Sequence, residues 1–180
     1  MTNKELFETY RSDVYRTCYY MLGQASDAED ICQEVFMTAF RGDWQKIDNV
    51  RTWLLRIAVN RSLNLLKRRN NLRAKLKHYP HLLAGRPDTT PDIRAEDRES
   101  AEEWAGYVGR LPLKIRAVIS LRYVHDLGTA EIADLLNIPQ GTVKSRQHKG
   151  LRLLKAMLER EGKSESIKGG AYHEYQSYKG

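Results

Sequence analysis

The stretch Thr129-Ala-Glu-Ile-Ala-Asp-Leu-Leu-Asn-Ile-Pro-Gln-Gly-Thr-Val-Lys-Ser-Arg-Gln-His-Lys149 reads as two helices joined by a three-residue turn. Thr129 stands where an N-cap would start a short helix, Ala130 to Leu136. Asn137-Ile138-Pro139 makes the turn, and a basic helix starts at Gln140. This is helix-turn-helix geometry. Ala133 supplies the small residue at the crossing of the two helices. Asn137 suits a left-handed backbone, which Asn visits more readily than most residues. Val143 packs the second helix down. Pro139 is acceptable in a first turn. The outward start of the second helix is then Gln140, Thr142, Lys144, Ser145, Arg146, His148 and Lys149, donors and cations suited to phosphates and base edges in a major groove. Taken alone, the segment also fits a helical hairpin with a basic face.

Helical periodicity continues on both sides. Leu6, Tyr10, Val14, Cys18 and Leu22 recur on one face, and Gly23 ends that helix. Ser26 with Glu29 has capping-box spacing and starts a second helix, with Ala28, Ile31, Cys32, Val35, Phe36, Ala39 and Phe40 as its apolar side. Gly42-Asp43 breaks it. A third helix is expected from Val50 to Arg69, with Val50, Leu54, Ile57, Ala58, Arg61 and Leu65 on one stripe. Pro80, Gly85, Pro87 and Pro91 mark a linker. Residues 92–106 suggest a further helix start. Leu111-Pro112 opens the last helical third. No strand-like alternation is present, so the expected fold is all-α. Residues 1–70 and 108–160 form two small helical domains, 71–107 a flexible linker, and 161–180, with Tyr172, Tyr175 and Tyr178, an unstructured tail.

The 180 residues carry 30 Lys and Arg against 23 Asp and Glu, a net charge of +7, with mean hydropathy −0.62. The charge is in blocks. Residues 1–40 are acidic, 67–77 hold six bases and no acid, 88–103 are acidic again, and 139–160 are basic. Separate faces for separate partners follow. No apolar run approaches the ~20 residues of a membrane span, and Met1-Thr-Asn-Lys-Glu opens without a secretory signal. A cytoplasmic protein with no membrane insertion is the expectation. Cys18 and Cys32 are too few for a disulfide framework or a four-ligand zinc site, and the five His are scattered. Two buried thiols, no metal site, no cofactor and no catalytic constellation are expected. A metal-dependent nuclease would need acids or His clustered beside a basic groove.

The third helix carries Trp53 beside Arg56, Asn60, Asn64 and Lys67, just after a loop with Trp44. Rings, amides and cations together suit a single nucleic-acid strand, whose bases stack and whose phosphates need neutralising. Trp53 as plain core, with the bases solvated, is the competing reading. The acidic helix 26–40 fits a basic protein surface instead.

Two segments carry a family resemblance. Asp27-Ala-Glu-Asp-Ile-Cys-Gln-Glu-Val-Phe36 with Trp53-Leu-Leu-Arg-Ile-Ala-Val-Asn60 resembles region 2 of the extracytoplasmic-function (ECF, group IV) sigma factors of the sigma-70 family. Leu111-Pro112, Glu131-Ile-Ala133 and Gly141-Thr-Val-Lys-Ser-Arg146 resemble region 4 of the same family. The resemblance covers roughly residues 3–69 and 108–158. It implies a non-enzymatic promoter-recognition subunit of RNA polymerase core. Asp27, Asp30, Gln33 and Glu34 would dock on the β′ clamp helices. Arg56, Asn60, Asn64 and Lys67 would hold the melted −10 element, with the Gly42–Asn49 loop as a pocket for a flipped base. The helix-turn-helix would read the −35 element beside the β flap, and an anti-sigma factor would regulate the chain. The acidic linker would mimic nucleic acid in the polymerase channel. The sequence departs from the family where Asn64 replaces a common Asp, Lys67 a common Arg, and Gln147 a usual apolar residue. A stand-alone helix-turn-helix regulator is the rival, but it has no need for the acidic helix joined to a strand-holding one.

Overall fold

The computed structural model describes residues 1–75 and 95–162, with side chains at 1–75 and 102–162. Among them are seven α-helices, one 3₁₀ turn and no strand: α1 (Asn3–Leu22), α2 (Ala25–Arg41), the 3₁₀ turn (Trp44–Lys46), α3 (Val50–Lys75), α4 (Ala95–Gly109), α5 (Leu113–His125), α6 (Thr129–Leu136) and α7 (Gln140–Arg160). They divide into two compact units. The Pro-rich stretch and the Tyr-bearing tail read from the sequence lie outside the described residues, except for the ends that α3, α4, Glu161 and Gly162 occupy.

The first unit is α1–α3. Thr2 and Glu5 form a reciprocal capping box at the start of α1, with hydrogen bonds of 3.2 and 2.7 Å. Gly23 ends it at φ 73°, a conformation that costs glycine little, and its N–H donates to the Tyr19 carbonyl at 2.8 Å. The core between the three helices is Leu6, Val14, Cys18, Met21, Val35, Phe36, Leu54, Leu55 and Val59, with the rings of Phe7 and Phe36 edge to face at 4.9 Å. Both cysteines are buried and free, as expected. Trp44 is buried as well, its indole donating to Asn3 Oδ1 at 3.0 Å. The ring that the loop contributes therefore anchors the 3₁₀ turn to α1 and is not available for stacking.

Two helix boundaries in this unit differ from the sequence reading. The second helix starts at Ala25 with Gln24 as its cap and no side-chain cap bond, not at a Ser26 cap. Ala25 is buried, so packing sets the start. The third helix continues past Arg69 to Lys75. No Gly or Pro interrupts it, and Arg73 and Lys75 complement the negative helix end.

In the second unit Tyr107 and Val108 of α4 pack with Leu111, Ile115, Ile119, Leu151, Leu154 and Leu158. The core thus includes Ala105 and Tyr107, one turn before residue 108. Glu161 fastens the end of α7 to α4, accepting from Tyr107 Oη and Arg110 Nη1, both at 2.6 Å. Arg116 is buried and its guanidinium donates to the carbonyls of Gly109 and Leu111; burial lowers its pKa. Helices α5 and α7 pack tightly against each other at Gly150. A Cβ on Gly150 would lie 2.7 Å from Ile119 Cδ1 and Cγ1, so only glycine fits that crossing without a shift.

Candidate nucleic-acid interface

The turn between α6 and α7 has the geometry that its sequence implies. Asn137 is left-handed at φ 52° and ψ 54°, and the Ile138 N–H reaches back to the Ala133 carbonyl at 3.0 Å. Ile132, Ala133, Leu135 and Val143 are buried between the two helices and the rest of the unit. The start of α6 differs by one residue: Gly128 is the cap and Thr129 the first helical residue. Glu131 decides this, its carboxylate accepting from the Gly128 N–H at 2.7 Å.

On α7, Gln140, Lys144, Ser145, His148 and Lys149 are exposed, and Thr142 and Arg146 are half-buried. Five of the seven predicted contact residues are thus open to solvent and two partly so, while Val143 between them is buried. Ser145 turns its hydroxyl to the Thr142 carbonyl at 3.0 Å. Gln147, the polar residue at an apolar position, is buried and donates from Nε2 to Tyr123 Oη at 3.2 Å. That bond satisfies the amide, so α7 is seated against α5 without an apolar residue there.

The first unit presents two faces. Along α3, Arg56, Asn60, Asn64 and Lys67 are exposed on one line, with Trp53 half-buried at its start. The Trp53 ring lies against Gly42, at 3.9 Å from where a Cβ would stand. Along α2, Asp30, Gln33 and Glu34 are exposed. Asp27 is not an outward charge like these. Its two oxygens accept from Arg69 Nη1 and Nη2 at 2.5 and 2.7 Å, and only 15% of its side chain is exposed. These hydrogen bonds raise the Arg69 pKa above its ordinary value. Glu34 is held in part: Oε2 accepts from Arg61 Nη1 at 2.5 Å, and Arg61 Nη2 donates to Thr38 Oγ1 at 2.6 Å. Arg51 pairs with Asp13 at 2.6 Å. The sequence reading missed these three arginines. Their partners lie on other helices, and the one hint was a cation, Arg61, on an otherwise apolar stripe.

Among the described residues no group of three or more His, Cys, Asp or Glu could hold a metal ion, and no helix is long and apolar enough to cross a membrane. Two helical units, one with a basic helix-turn-helix and one with acidic and basic faces on adjacent helices, define a modular DNA-binding transcription factor. Comparison with known proteins names the family. Residues 6–72 match sigma-70 region 2, and residues 108–156 match sigma-70 region 4. The chain is 32% identical to ECF RNA polymerase sigma factor SigW of Bacillus subtilis over 167 residues, covering 86% of this chain and 87% of SigW. It is 30% identical to ECF sigma factor SigL of Mycobacterium tuberculosis, covering 88% and 90%. Its fold resembles the sigma factor RpoE of Bartonella quintana, solved with the anti-sigma factor NepR, with a TM-score of 0.64, 17% identity and coverage of 87% and 96%. It also resembles CnrH, solved with the cytosolic domain of CnrY, with a TM-score of 0.62, 19% identity and coverage of 88% of each chain.

The chain belongs to the ECF sigma factors of the sigma-70 family. It is an alternative sigma factor, which binds RNA polymerase core, recognises the −35 and −10 promoter elements and promotes DNA melting in transcription initiation.

Proposed function

We propose a division of this work among named residues. Asp30, Gln33 and the outer edge of Glu34 meet the basic docking surface of polymerase core, the β′ clamp helices. Asp27 supports that face from behind through Arg69. Trp53, Arg56, Asn60, Asn64 and Lys67 hold the non-template strand of the −10 element, with the Gly42–Asn49 loop taking a flipped base. Gln140, Thr142, Lys144, Ser145, Arg146, His148 and Lys149 read the −35 duplex from the major groove, with the second unit against the β flap. The protein works in the cytoplasm and carries out no bond chemistry of its own. An anti-sigma factor silences it by covering these faces; the two solved neighbours, each held by a second protein, support this.

One observation carries the reading. A single three-helix unit presents an acidic face on α2 and an acid-free, amide-and-cation face on α3. A duplex-binding repressor has no use for that pairing. Run-off transcription with purified polymerase core, with and without the chain, is the test. Promoter-specific transcripts are expected only when the chain is present. Their absence with active core, together with duplex binding by the chain alone, would favour a stand-alone regulator.

A further inference from the structure

The buried residues of α7 are Val143, Gln147, Gly150, Leu151, Leu154 and Leu158, and of these Gln147 alone carries a polar side chain. It stands between Arg146 and His148, two of the residues read as DNA contacts. Its Nε2 donates to Tyr123 Oη of α5 at 3.2 Å. Three residues further on, Gly150 lies under the same helix. A Cβ there would be 2.7 Å from Ile119 Cδ1 and 2.9 Å from Ile115 Cγ2. Tyr123 follows Ile119 by four residues, so the two contacts are about one turn apart on each helix. Helix α7 therefore meets α5 at a steric stop and at a directional bond.

A stop and a bond on one line fix an angle. At ~1.5 Å per residue, Gln147 is about 4.5 Å along the axis from Gly150, and Gln140 about 15 Å. A tilt of about 10° around the Gly150 contact would shift Gln147 by ~0.8 Å and Gln140 by ~2.6 Å. At 3.2 Å the bond is already long, and a further ~0.8 Å would break it. The buried amide would then lose its partner and bear its desolvation cost. Val143 also seats α7, but apolar burial is non-directional and fixes depth better than angle. The side chains that meet base edges lie farther out on the same lever, and such contacts tolerate only about 0.5 Å of error. A tilt too small to unseat the helix is thus large enough to change what it reads.

We infer that Gln147 and Tyr123 are positioning residues for −35 recognition: their bond sets the tilt of α7 and, through it, the base selectivity of Gln140, Lys144 and Arg146. The inference rests on the reading of α7 as the −35 helix. Neither Gln147 nor Tyr123 touches DNA in this role. An apolar residue at 147 fills the same space and leaves the angle free.

The test uses the full chain bound to polymerase core and a promoter that this holoenzyme transcribes. A panel of this promoter with single base-pair changes in the −35 element is bound by the parent, Tyr123→Phe, Gln147→Leu and the double variant. Tyr123→Phe keeps the ring and removes the hydroxyl; Gln147→Leu keeps the volume and removes the amide. A wrong base pair costs the parent on the order of five- to a hundredfold in affinity, and in each single variant this penalty should shrink by about threefold or more. The double variant should match the singles, because all three lack the same bond. The slope of log affinity against log salt, which counts phosphates, should stay within about half a unit of the parent. Unchanged penalties in either single variant would overturn the inference, as would additive losses in the double. A loss uniform across the panel, or matched by a loss of core affinity, would make the pair structural only and overturn it too. Lys144→Ala with Arg146→Ala keeps the underlying reading separate. If that variant binds the promoter and rejects the altered −35 elements as the parent does, the reading of α7 fails, whatever the Gln147 and Tyr123 variants do.

Discussion

Arg69 closes on Asp27 with both guanidinium amines, at 2.5 and 2.7 Å, joining the C-terminal half of α3 to the first turn of α2. Helices α2 and α3 are therefore tied here by a charged fork, as they are about two turns away by Arg61 on Glu34 and Thr38. Bidentate charge-assisted bonds are among the stronger single contacts in a protein. Partial exposure of Arg69, at 38% of its side chain, weakens this one relative to a fully buried pair.

Asp27→Ala should destabilise the chain by about 1–2 kcal/mol, below the full value for a charged hydrogen bond because water reaches Arg69. Urea unfolding would measure it. The double variant Asp27→Ala with Arg69→Ala should be less destabilised than the sum of the single changes. Additive effects would show that the fork is geometric only.

Asp30→Lys separates docking from folding. Asp30 is exposed, whereas Glu34 shares Arg61, so changing Glu34 would disturb α3 as well. The single reversal should leave the circular dichroism spectrum and unfolding midpoint unchanged. It should weaken core binding by on the order of 2 kcal/mol or more, because like charges then face each other. Competition with the parent chain for polymerase core reads this directly. Undiminished competition would make the α2 face a solvated one.

Gly150→Ala should destabilise the second unit by about 1–3 kcal/mol through overpacking against Ile119 and Ile115. Ile119→Val removes one of the atoms in the way. The pair should therefore cost less than the sum of the two changes. Thermal unfolding of the four chains tests this, and full additivity would place the added methyl in open space.

The two buried thiols predict an alkaline weakness. Burial pushes the Cys32 pKa up to about 11 from 9.0, and the Cys18 pKa is raised further. The folded chain keeps these protons where the unfolded chain loses them. Stability is therefore unaffected by the thiols at neutral pH and falls as pH rises from about 9 toward about 11. The urea midpoint should drop more steeply across that window for the parent than for Cys18→Ala with Cys32→Ala. Equal slopes would mean that other groups carry the loss.

By itself the sequence determined what local physics decides. Spacing of apolar residues placed the helices, and Gly23 and Asn137 marked turns because each backbone conformation there is a property of one residue. Exposed donors on α7 and α3 were legible because helical periodicity alone sorts inward from outward. The tertiary structure decided whatever depends on partners remote in the chain. It turned Asp27 onto Arg69 and Glu34 onto Arg61, buried Trp44 against Asn3, and gave Gln147 a hydroxyl on Tyr123. It also moved the start of α2 to buried Ala25 and made Gly150 the residue that fits under Ile119 without a shift. A carboxylate or a ring reads the same in sequence whether it faces solvent or a neighbour. Only the packing of distant helices supplies the cation, the amide or the steric limit that assigns its role.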